Sequence, residues 1–290
     1  MFKGSIVALI TPFKNNVLDQ DKYASLIQHH IKNGTKGVVP AGTTGESPTL
    51  DHDEHKKVIE IAVRECKGKI PVIAGTGSNS TAEAIELSKF AEKSGADALL
   101  IVTPYYNKPT QEGLYQHYKL INDNVGIPII IYNIPPRSVI DMSVDTMARL
   151  FELKNIIGVK DATADLNRVD QQLKKMGPKF IQLSGEDGTA LEFNMRGGVG
   201  CISVTANVAP KLCSEFQEAC LKKNNNKSKE INDKLMPLHK SLFIESNPSP
   251  VKYAASLLNL SSEEVRLPLI KVTEKTKKEV QKALKFANLL

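Results

Sequence analysis

The segment ADALLIVTPYYNKPTQEGLYQHYKLINDNVGIPIIIY, residues 96–132, holds two short apolar runs separated by an amphipathic stretch. ADALLIV (96–102) and IPIIIY (127–132) have the length and the β-branched content of buried strands. TQEGLYQHYKLINDN (110–124) has the apolar spacing of a helix. This segment therefore predicts a strand, a helix and a second strand in succession.

The same alternation continues on both sides of this segment. Six more apolar runs have strand length: SIVALI (5–10), GVVPA (37–41), IPVIAG (70–75), IIGVK (156–160), FIQLSG (180–185) and VGCISV (199–204). Eight strands that are apolar enough to be covered on both faces, with helices between them, predict a parallel (β/α)8 TIM barrel of the α/β class.

Amphipathic stretches and their flanking residues predict where the helices lie. Three of them are DKYASLIQHHIKNG (21–34), SPTLDHDEHKKVIEIAVREC (47–66) and NSTAEAIELSKFAEKSG (79–95), the last starting near Thr81 and ending at Gly95. KKNNNKSK (222–229) has the composition of a loop. The alternation ends near residue 225, so we expect a barrel catalytic domain over 1–225 and a C-terminal helical domain over 226–290.

Composition excludes several classes of protein. Of the 290 residues, 41% are apolar and 24% charged, as in ordinary globular proteins. The sequence shows neither a secretory signal pattern nor an apolar run long enough to span a membrane, so we expect a soluble cytoplasmic protein. The four cysteines lack CxxC spacing, which predicts neither zinc nor disulfides. The net charge of +6 comes without zinc-finger spacing or basic segments interleaved with aromatics, so an anionic substrate is favoured over nucleic acid.

Residues that follow the predicted strands carry the functional signal, because chemistry in such barrels gathers at the carboxyl ends of the strands. AGTTGES (41–47) could be a seat for a carboxylate or phosphate, or a plain capping turn. Tyr105 and Tyr106 follow strand four, and Tyr132 and Lys160 end strands five and six. Taken singly, such tyrosines are more often core residues and such lysines more often surface or ion-paired residues.

Taken together, a lysine, tyrosine hydroxyls, a carboxylate seat and an arginine, Arg137, are what imine chemistry on an oxo acid requires. A lysine amine in water has a pKa of about 10.4, and an apolar strand end supplies the desolvation that favours the neutral nucleophile. The strand ends lack a metal-binding cluster of His, Asp and Glu, and GTG (75–77) lacks the third glycine of a dinucleotide fingerprint. We therefore expect neither a metal nor a cofactor.

Several longer motifs resemble the dihydrodipicolinate synthase family of the pyruvate-dependent lysine aldolase superfamily. They are GTTGE (42–46), TPYYNKP (103–109), YNIPPR (132–137), GVKDAT (158–163), LSGED (183–187) and NPSPVKYA (247–254). The resemblance spans essentially the full length of the chain. It implies condensation of pyruvate with L-aspartate 4-semialdehyde to 4-hydroxy-tetrahydrodipicolinate, the first committed step of diaminopimelate and lysine biosynthesis.

The resemblance also implies roles for individual residues. The catalytic residues would be Lys160 as the Schiff base, and Tyr132, Thr43 and Tyr106 as a proton relay. The implied substrate-binding residues are Thr44 for pyruvate, Arg137 for the aldehyde's carboxylate, and Gly185 and Ile202 along the pocket. Tyr132 would be hydrogen-bonded to Thr43. Tyr106 would come from a neighbouring subunit, within a homotetramer built as a dimer of dimers.

Two features bear on substrate and regulation. Ser138 and Val139 follow Arg137 where the family more often has Thr-Gly, so we expect a reshaped pocket for the second substrate. Family members inhibited by L-lysine bind it at a subunit interface, and the matching residue types are all present here: Ser47, His52, His55, Asn79, Glu83 and Tyr105. Pro48 replaces a common alanine in that region. The alternative for the two histidines is a pair of surface residues.

Three functions remain open from the sequence. The synthase reaction is favoured by GTTGE (42–46), since the N-acetylneuraminate lyase branch typically has GSTGE. A lyase acting on sialic acid, or an aldolase acting on a 2-keto-3-deoxy sugar acid, would use the same lysine with a sugar as the acceptor. A catalytically silent scaffold would be expected to lack Lys160 or Tyr132, and both are present.

Overall fold

Eight parallel strands close into a barrel in the computed structural model, which describes residues 2–290. The barrel strands are β1 (Gly4–Ala8), β2 (Gly37–Val39), β3 (Ile73–Gly75), β4 (Ala98–Val102), β5 (Ile129–Asn133), β6 (Ile156–Asp161), β7 (Ile181–Ser184) and β8 (Gly200–Ser203). Neighbouring strands pair in the order β2, β1, β8, β7, β6, β5, β4, β3, and a parallel bridge between Val38 and Val72 joins the two ends. The predicted (β/α)8 barrel and all eight predicted strands are confirmed.

Helices surround the barrel and continue beyond it. They are α1 (Gln20–Lys32), α2 (His52–Cys66), α3 (Thr81–Ser94), α4 (Gln111–Asn124), α5 (Pro135–Ser138), α6 (Val144–Phe151), α7 (Asn167–Met176), α8 (Ala190–Met195), α9 (Pro210–Leu221), α10 (Asn225–Ser241), α11 (Ser249–Leu257) and α12 (Glu274–Phe286). Four short 3-10 turns lie at Thr43–Gly45, Ser47–Thr49, Asp187–Thr189 and Thr205–Asn207. No helix among residues 2–290 is long and apolar enough to cross a membrane.

Two predicted helix starts are wrong. The helix expected from residue 47 begins at His52, because Glu46 is left-handed and Asp51 forms a capping box with Glu54. The third helix begins at Thr81 and ends at Gly95, as expected, and its cap is Ser80, whose hydroxyl accepts from the Glu83 amide.

The segment 222–229, expected as a loop, contains the start of α10, because the Asn224 side chain caps the helix at Lys227. A short antiparallel hairpin that sequence analysis did not predict, Phe13–Lys14 with Val17–Leu18, follows β1. The division expected between residues 225 and 226 lies one residue inside α10 and stays a prediction.

The barrel interior and the space between strands and helices are two separate apolar clusters. The inner cluster is lined by side chains from the strands: Ile6, Ala8, Val39, Ile73, Ala98, Leu100, Ile130, Tyr132, Leu183 and Ile202. Successive residues of a strand point to opposite faces, so the inward set alternates with an outward set that packs on the helices. Tyr132 is the last residue of β5 whose side chain points inward, so it lies at the carboxyl end of the inner cluster.

Candidate active site at the carboxyl end of the barrel

Strands β5 and β6 place the predicted nucleophile beside the predicted proton shuttle. Tyr132 and Lys160 are direct partners in the parallel register of the two strands, so their side chains lie on the same, inward face. The Lys160 amine lies 4.1 Å from the centroid of the Tyr132 ring. Both residues are 5% exposed. The sequence-predicted pair is thus adjacent and shielded from bulk water.

Lys160 differs from the chain's other deeply buried lysine, Lys252. Lys252 is paired with Glu46 at 2.7 Å and also donates to the Thr11 carbonyl at 2.8 Å. Within residues 2–290, the Lys160 amine has neither a carboxylate partner nor a hydrogen bond. Lysine is almost never buried unless it is paired or used. The unpaired, desolvated amine of Lys160 is therefore suited to nucleophilic attack on a carbonyl.

The turn Thr43–Gly45, which follows strand β2, has backbone N–H groups that can donate hydrogen bonds to a ligand. Within the described chain the amides of Thr43 and Thr44 donate to no protein acceptor, as is usual for the first residues of a helical turn. Two successive amides without a protein acceptor form a site that suits a carboxylate. The expected hydrogen bond between the Thr43 and Tyr132 hydroxyls is not formed among residues 2–290, and the Thr43 carbonyl accepts from the Glu46 amide at 3.1 Å. The relay itself stays a prediction.

Gly185 lies beside the lysine, and Ile202 lines the interior of the barrel. A Cβ atom added to Gly185 would lie 2.7 Å from Cβ of Ala162 and 3.1 Å from Cε of Lys160, so a larger residue would have to displace Ala162 and would crowd the lysine side chain. Ile202 is 1% exposed and belongs to the inner cluster. Burial raises the pKa of the neighbouring Glu186, an effect that the charge of Lys160 partly offsets.

Arg137 lies in the short helix α5 and reaches toward the C-terminal segment. Its Nη2 atom donates to the Asn247 carbonyl at 3.3 Å, and the Asn247 side chain donates to the Thr44 hydroxyl at 3.0 Å. Asn247 thus connects the turn Thr43–Gly45, the candidate carboxylate site, to Arg137. Ser138 is buried, with its hydroxyl 2.9 Å from the Ile134 carbonyl, while Val139 is left-handed and largely exposed.

Three residues of this site were missed by sequence analysis: Glu46, Lys252 and Asn247. Glu46 and Lys252 have side chains that are 0% exposed. The Arg266 amide donates to the second oxygen of Glu46 at 2.9 Å, so the carboxylate is held from two sides. The signal was present in GTTGE and NPSPVKYA, but more than 200 residues separate the partners, and neither motif alone indicates contact with the other.

Tyr106 lies outside this arrangement. Its side chain is 89% exposed and its backbone is left-handed with φ of 72°, an unusual conformation for an aromatic residue. Its hydroxyl makes no hydrogen bond within residues 2–290. The neighbouring Tyr105 is 37% exposed, and burial raises its pKa.

Five of the six residues expected to bind L-lysine form a second cluster, while Ser47 lies in the turn Ser47–Thr49. His52 lies 2.9 Å from Glu83, whose pKa is lowered by hydrogen bonds from Ser78 and His52. Asn79 donates to the Tyr105 carbonyl at 3.2 Å. The alternative of two surface histidines is wrong for His55, which is buried. It lies 2.8 Å from the Gly75 carbonyl, and burial lowers its pKa.

The sequence as a whole matches one family model. The model of the Dihydrodipicolinate synthetase family covers residues 1–287. The chain belongs to the dihydrodipicolinate synthetase family. The resemblance that the motifs indicated is confirmed.

Relatives in this family are close and match over their whole length. The 4-hydroxy-tetrahydrodipicolinate synthase of Pelagibacter ubique is 71% identical over 293 residues, with all of both chains covered. That of Bradyrhizobium diazoefficiens is 64% identical over 289 residues, covering 100% of this chain and 98% of the relative.

Solved structures of the dihydrodipicolinate synthetase family have the same fold. The chloride-inhibited synthase of Acinetobacter baumannii, complexed with pyruvate, is 47% identical with a TM-score of 0.98 and full coverage of both chains. The synthase of Cyanidioschyzon merolae with lysine bound is 36% identical with a TM-score of 0.97, covering 100% of this chain and 99% of that one. The barrel described above is therefore the fold of this family.

Proposed function

We propose that the chain condenses pyruvate with L-aspartate 4-semialdehyde to 4-hydroxy-tetrahydrodipicolinate through a Schiff base at Lys160. The activity is that of its close relatives in the family, which are synthases by name. The observation that carries the mechanism is Lys160, a residue that is 5% exposed and adjacent to Tyr132, whose amine forms neither a salt bridge nor a hydrogen bond within residues 2–290. A structural lysine in such a place would be paired, as Lys252 is.

The first half of the reaction uses the lysine and the turn. The amides of Thr43 and Thr44 and the Thr44 hydroxyl would hold the pyruvate carboxylate. Lys160 attacks the keto carbon, water leaves, and a protonated imine forms. The imine accepts the electron pair when a methyl proton leaves, which gives an enamine. Tyr132 and Thr43, as expected from the sequence, would carry these protons.

The second half uses the arginine. Arg137 would hold the carboxylate of the semialdehyde, and the enamine carbon attacks the aldehyde to form the new carbon–carbon bond. The amino group of the semialdehyde then attacks the imine carbon and displaces Lys160, which closes the ring and regenerates the free enzyme. Gly185 and Ile202 would line the pocket. Each step needs a proton moved at a defined atom, which positioned hydroxyls supply.

The acceptor aldehyde distinguishes this proposal from a sugar-acid lyase or aldolase. Pyruvate consumption is measured with either L-aspartate 4-semialdehyde or N-acetylmannosamine as the second substrate. Turnover with the semialdehyde only is expected, because Arg137 offers a charged partner to a carboxylate. Turnover with the sugar alone would replace the proposed substrate, and Arg137→Met should then leave its KM unchanged.

We also place the active site between two subunits of a homotetramer, a dimer of dimers, with Tyr106 contributed by the neighbour. The 89% exposed side chain of Tyr106 supports this arrangement. Mixing Tyr106→Phe with Lys160→Ala chains, after co-refolding, tests it. Roughly a quarter of wild-type activity should return, since half of random dimers are mixed and each holds one intact site. If Tyr106 acts within its own chain, no activity returns.

A regulatory site for L-lysine is the second part of the proposal. His52, His55, Asn79, Glu83 and Tyr105 gather in the second cluster, and Ser47 lies in the turn that precedes α2. The carboxylate of Glu83 would pair with an amino group of the ligand. Steady-state rates are measured at increasing L-lysine, with Glu83→Gln as the variant. Full activity of the wild type at millimolar lysine would end this proposal.

We further place the enzyme in the cytoplasm, where its four free cysteines would stay reduced.

A further inference from the structure

The residues that directly follow Tyr132 and Lys160 form a buried polar network on the outer face of the barrel. Asn133 and Asp161 are partners in the register of β5 and β6, one step beyond the catalytic pair. Because side chains alternate along a strand, they point outward toward the helices. Asn133 is 0% and Asp161 4% exposed, so both are out of reach of substrate in the barrel mouth.

Each carboxylate oxygen of Asp161 accepts two hydrogen bonds. Its Oδ1 atom accepts from the Thr163 amide at 3.0 Å and from the Thr163 hydroxyl at 2.6 Å. Its Oδ2 atom accepts from Arg168 at 3.1 Å and from Gln172 at 2.9 Å. A carboxylate satisfied in this way is fixed in position and fixes the strand end that carries it.

Arg168 connects this strand end to the loop that carries Arg137. Besides Asp161, its guanidinium donates to Asp141 at 3.2 Å and to the Met142 carbonyl at 2.7 Å. Arg168 is 8% exposed, so its charge is largely removed from water. Loss of one of its carboxylate partners would therefore destabilise the protein. One side chain of α7 therefore spans β6 and the segment 141–142.

The loop 134–142 is closed on itself at its base. Asn133 donates to the Asp141 carboxylate at 2.7 Å and accepts from the Met142 amide at 3.0 Å. Arg137 lies in the middle of this closed loop. Displacement of Asp141 or Met142 would therefore move Arg137 relative to Lys160.

We propose that Arg168 is a positioning residue for the reaction: it holds the Arg137 loop (residues 134–142) against the end of β6, and so keeps the two substrate sites in register. This inference rests on the proposed function, since it assigns the second substrate to Arg137. The network of Asn133, Asp141, Asp161 and Arg168 is called the outer clamp below. The clamp has two halves that substitutions can separate, the Asp161 half at the lysine strand and the Asp141 half at the loop.

The test uses Asp141→Ala, Arg168→Met and a control. Asp141 has a 49% exposed side chain, so its removal is compatible with folding. Arg149→Met is the matched control, because it breaks an exposed arginine pair with Glu112 at 2.9 Å on the neighbouring helices. For each variant, the KM for L-aspartate 4-semialdehyde and the rate of borohydride-trapped pyruvate adduct are measured, with circular dichroism to verify folding.

The two variants have different expected signatures. Asp141→Ala raises the KM for the semialdehyde roughly tenfold, as loss of a charge-assisted contact implies, and leaves the pyruvate adduct rate within about twofold of wild type. Arg168→Met changes both quantities, and Arg149→Met changes neither. If Arg168→Met does not fold, Asp141→Ala alone decides.

A folded Asp141→Ala variant with the wild-type KM would overturn the inference. So would equal losses in Asp141→Ala and Arg149→Met, because that result describes a general loss of stability. Failure of the proposed function is distinguishable from both, since the wild-type enzyme would then give no pyruvate adduct or no turnover with the semialdehyde.

Discussion

Replacement of Lys252 by methionine should destabilise the protein strongly, because it leaves the charge of Glu46 buried without its partner. Both side chains are 0% exposed and their charged atoms lie 2.7 Å apart. Burial lowers the pKa of Lys252 to about 8, and the adjacent carboxylate of Glu46 limits this shift. Breaking such a pair costs about 3–5 kcal/mol. Glu46→Gln should cost less, because the buried amine can lose its proton once the carboxylate is gone and can still donate to the Thr11 carbonyl.

The double variant Glu46→Gln/Lys252→Met should recover part of this loss, since neither charge is then left alone. Its destabilisation is expected to fall short of the sum of the single variants by about 2–3 kcal/mol. The assay is urea unfolding at pH 7 and one fixed protein concentration, because assembly contributes to apparent stability. Lys229→Met is the control: its pair with Asp233 has side chains 69% and 59% exposed, and about 0.5 kcal/mol or less is expected.

Two results would refute this reasoning. One is a Lys252→Met variant that loses less than about 1 kcal/mol, which would place the pair in an environment as well solvated as the surface. The other is a double variant whose loss equals the sum of the singles, which would mean that the two charges do not interact. The pair matters for function because Glu46 lies two residues from Thr44, in the turn proposed to hold pyruvate.

Three further outcomes are expected. Gly185→Ala should lower kcat/KM roughly 10- to 100-fold through displacement of Lys160, and a wild-type kcat/KM would show that this close approach is unimportant. Tyr132→Phe should lower kcat by about 10²–10⁴ without unfolding, and a loss below tenfold would remove it from the proton relay. The free energy of unfolding should fall as the pH drops from 7. Burial lowers the pKa of His30 to about 3, whereas a histidine in the unfolded chain has a pKa of about 6.5 and therefore binds a proton first. This difference lowers the free energy of unfolding by about 2 kcal/mol at pH 5. His117, lowered by burial to about 4, adds a loss of the same sign, and an unchanged urea midpoint between pH 7 and 5 would contradict both assignments.

The strands were predictable because each is buried on two faces and therefore reads as an uninterrupted apolar run. GVVPA and IPIIIY carry this signal without any knowledge of their neighbours. Helix starts were less predictable, because a polar stretch such as 222–229 reads alike as a loop and as a capped first turn. There the Asn224 cap decides in favour of the helix.

The general placement of Tyr132 beside Lys160 was predictable from the sequence, since the two residues lie at the ends of neighbouring strands of one barrel. The contacts of Glu46 with Lys252, and of Thr44 with Asn247, were not, because they join segments 206 and 203 residues apart through the packing of α11 on the barrel. Arg168 was also missed. On a helix, its charge looks like any solvated arginine until its buried acceptors are known.

The most direct test of the central claim is the intact mass of the protein after incubation with pyruvate and borohydride. The account predicts one reduced pyruvate per chain, located on Lys160 by peptide mapping and absent from Lys160→Ala. An unmodified wild-type chain, or an adduct that persists in Lys160→Ala, would contradict the imine mechanism and the assignment of the buried, unpaired lysine as its nucleophile.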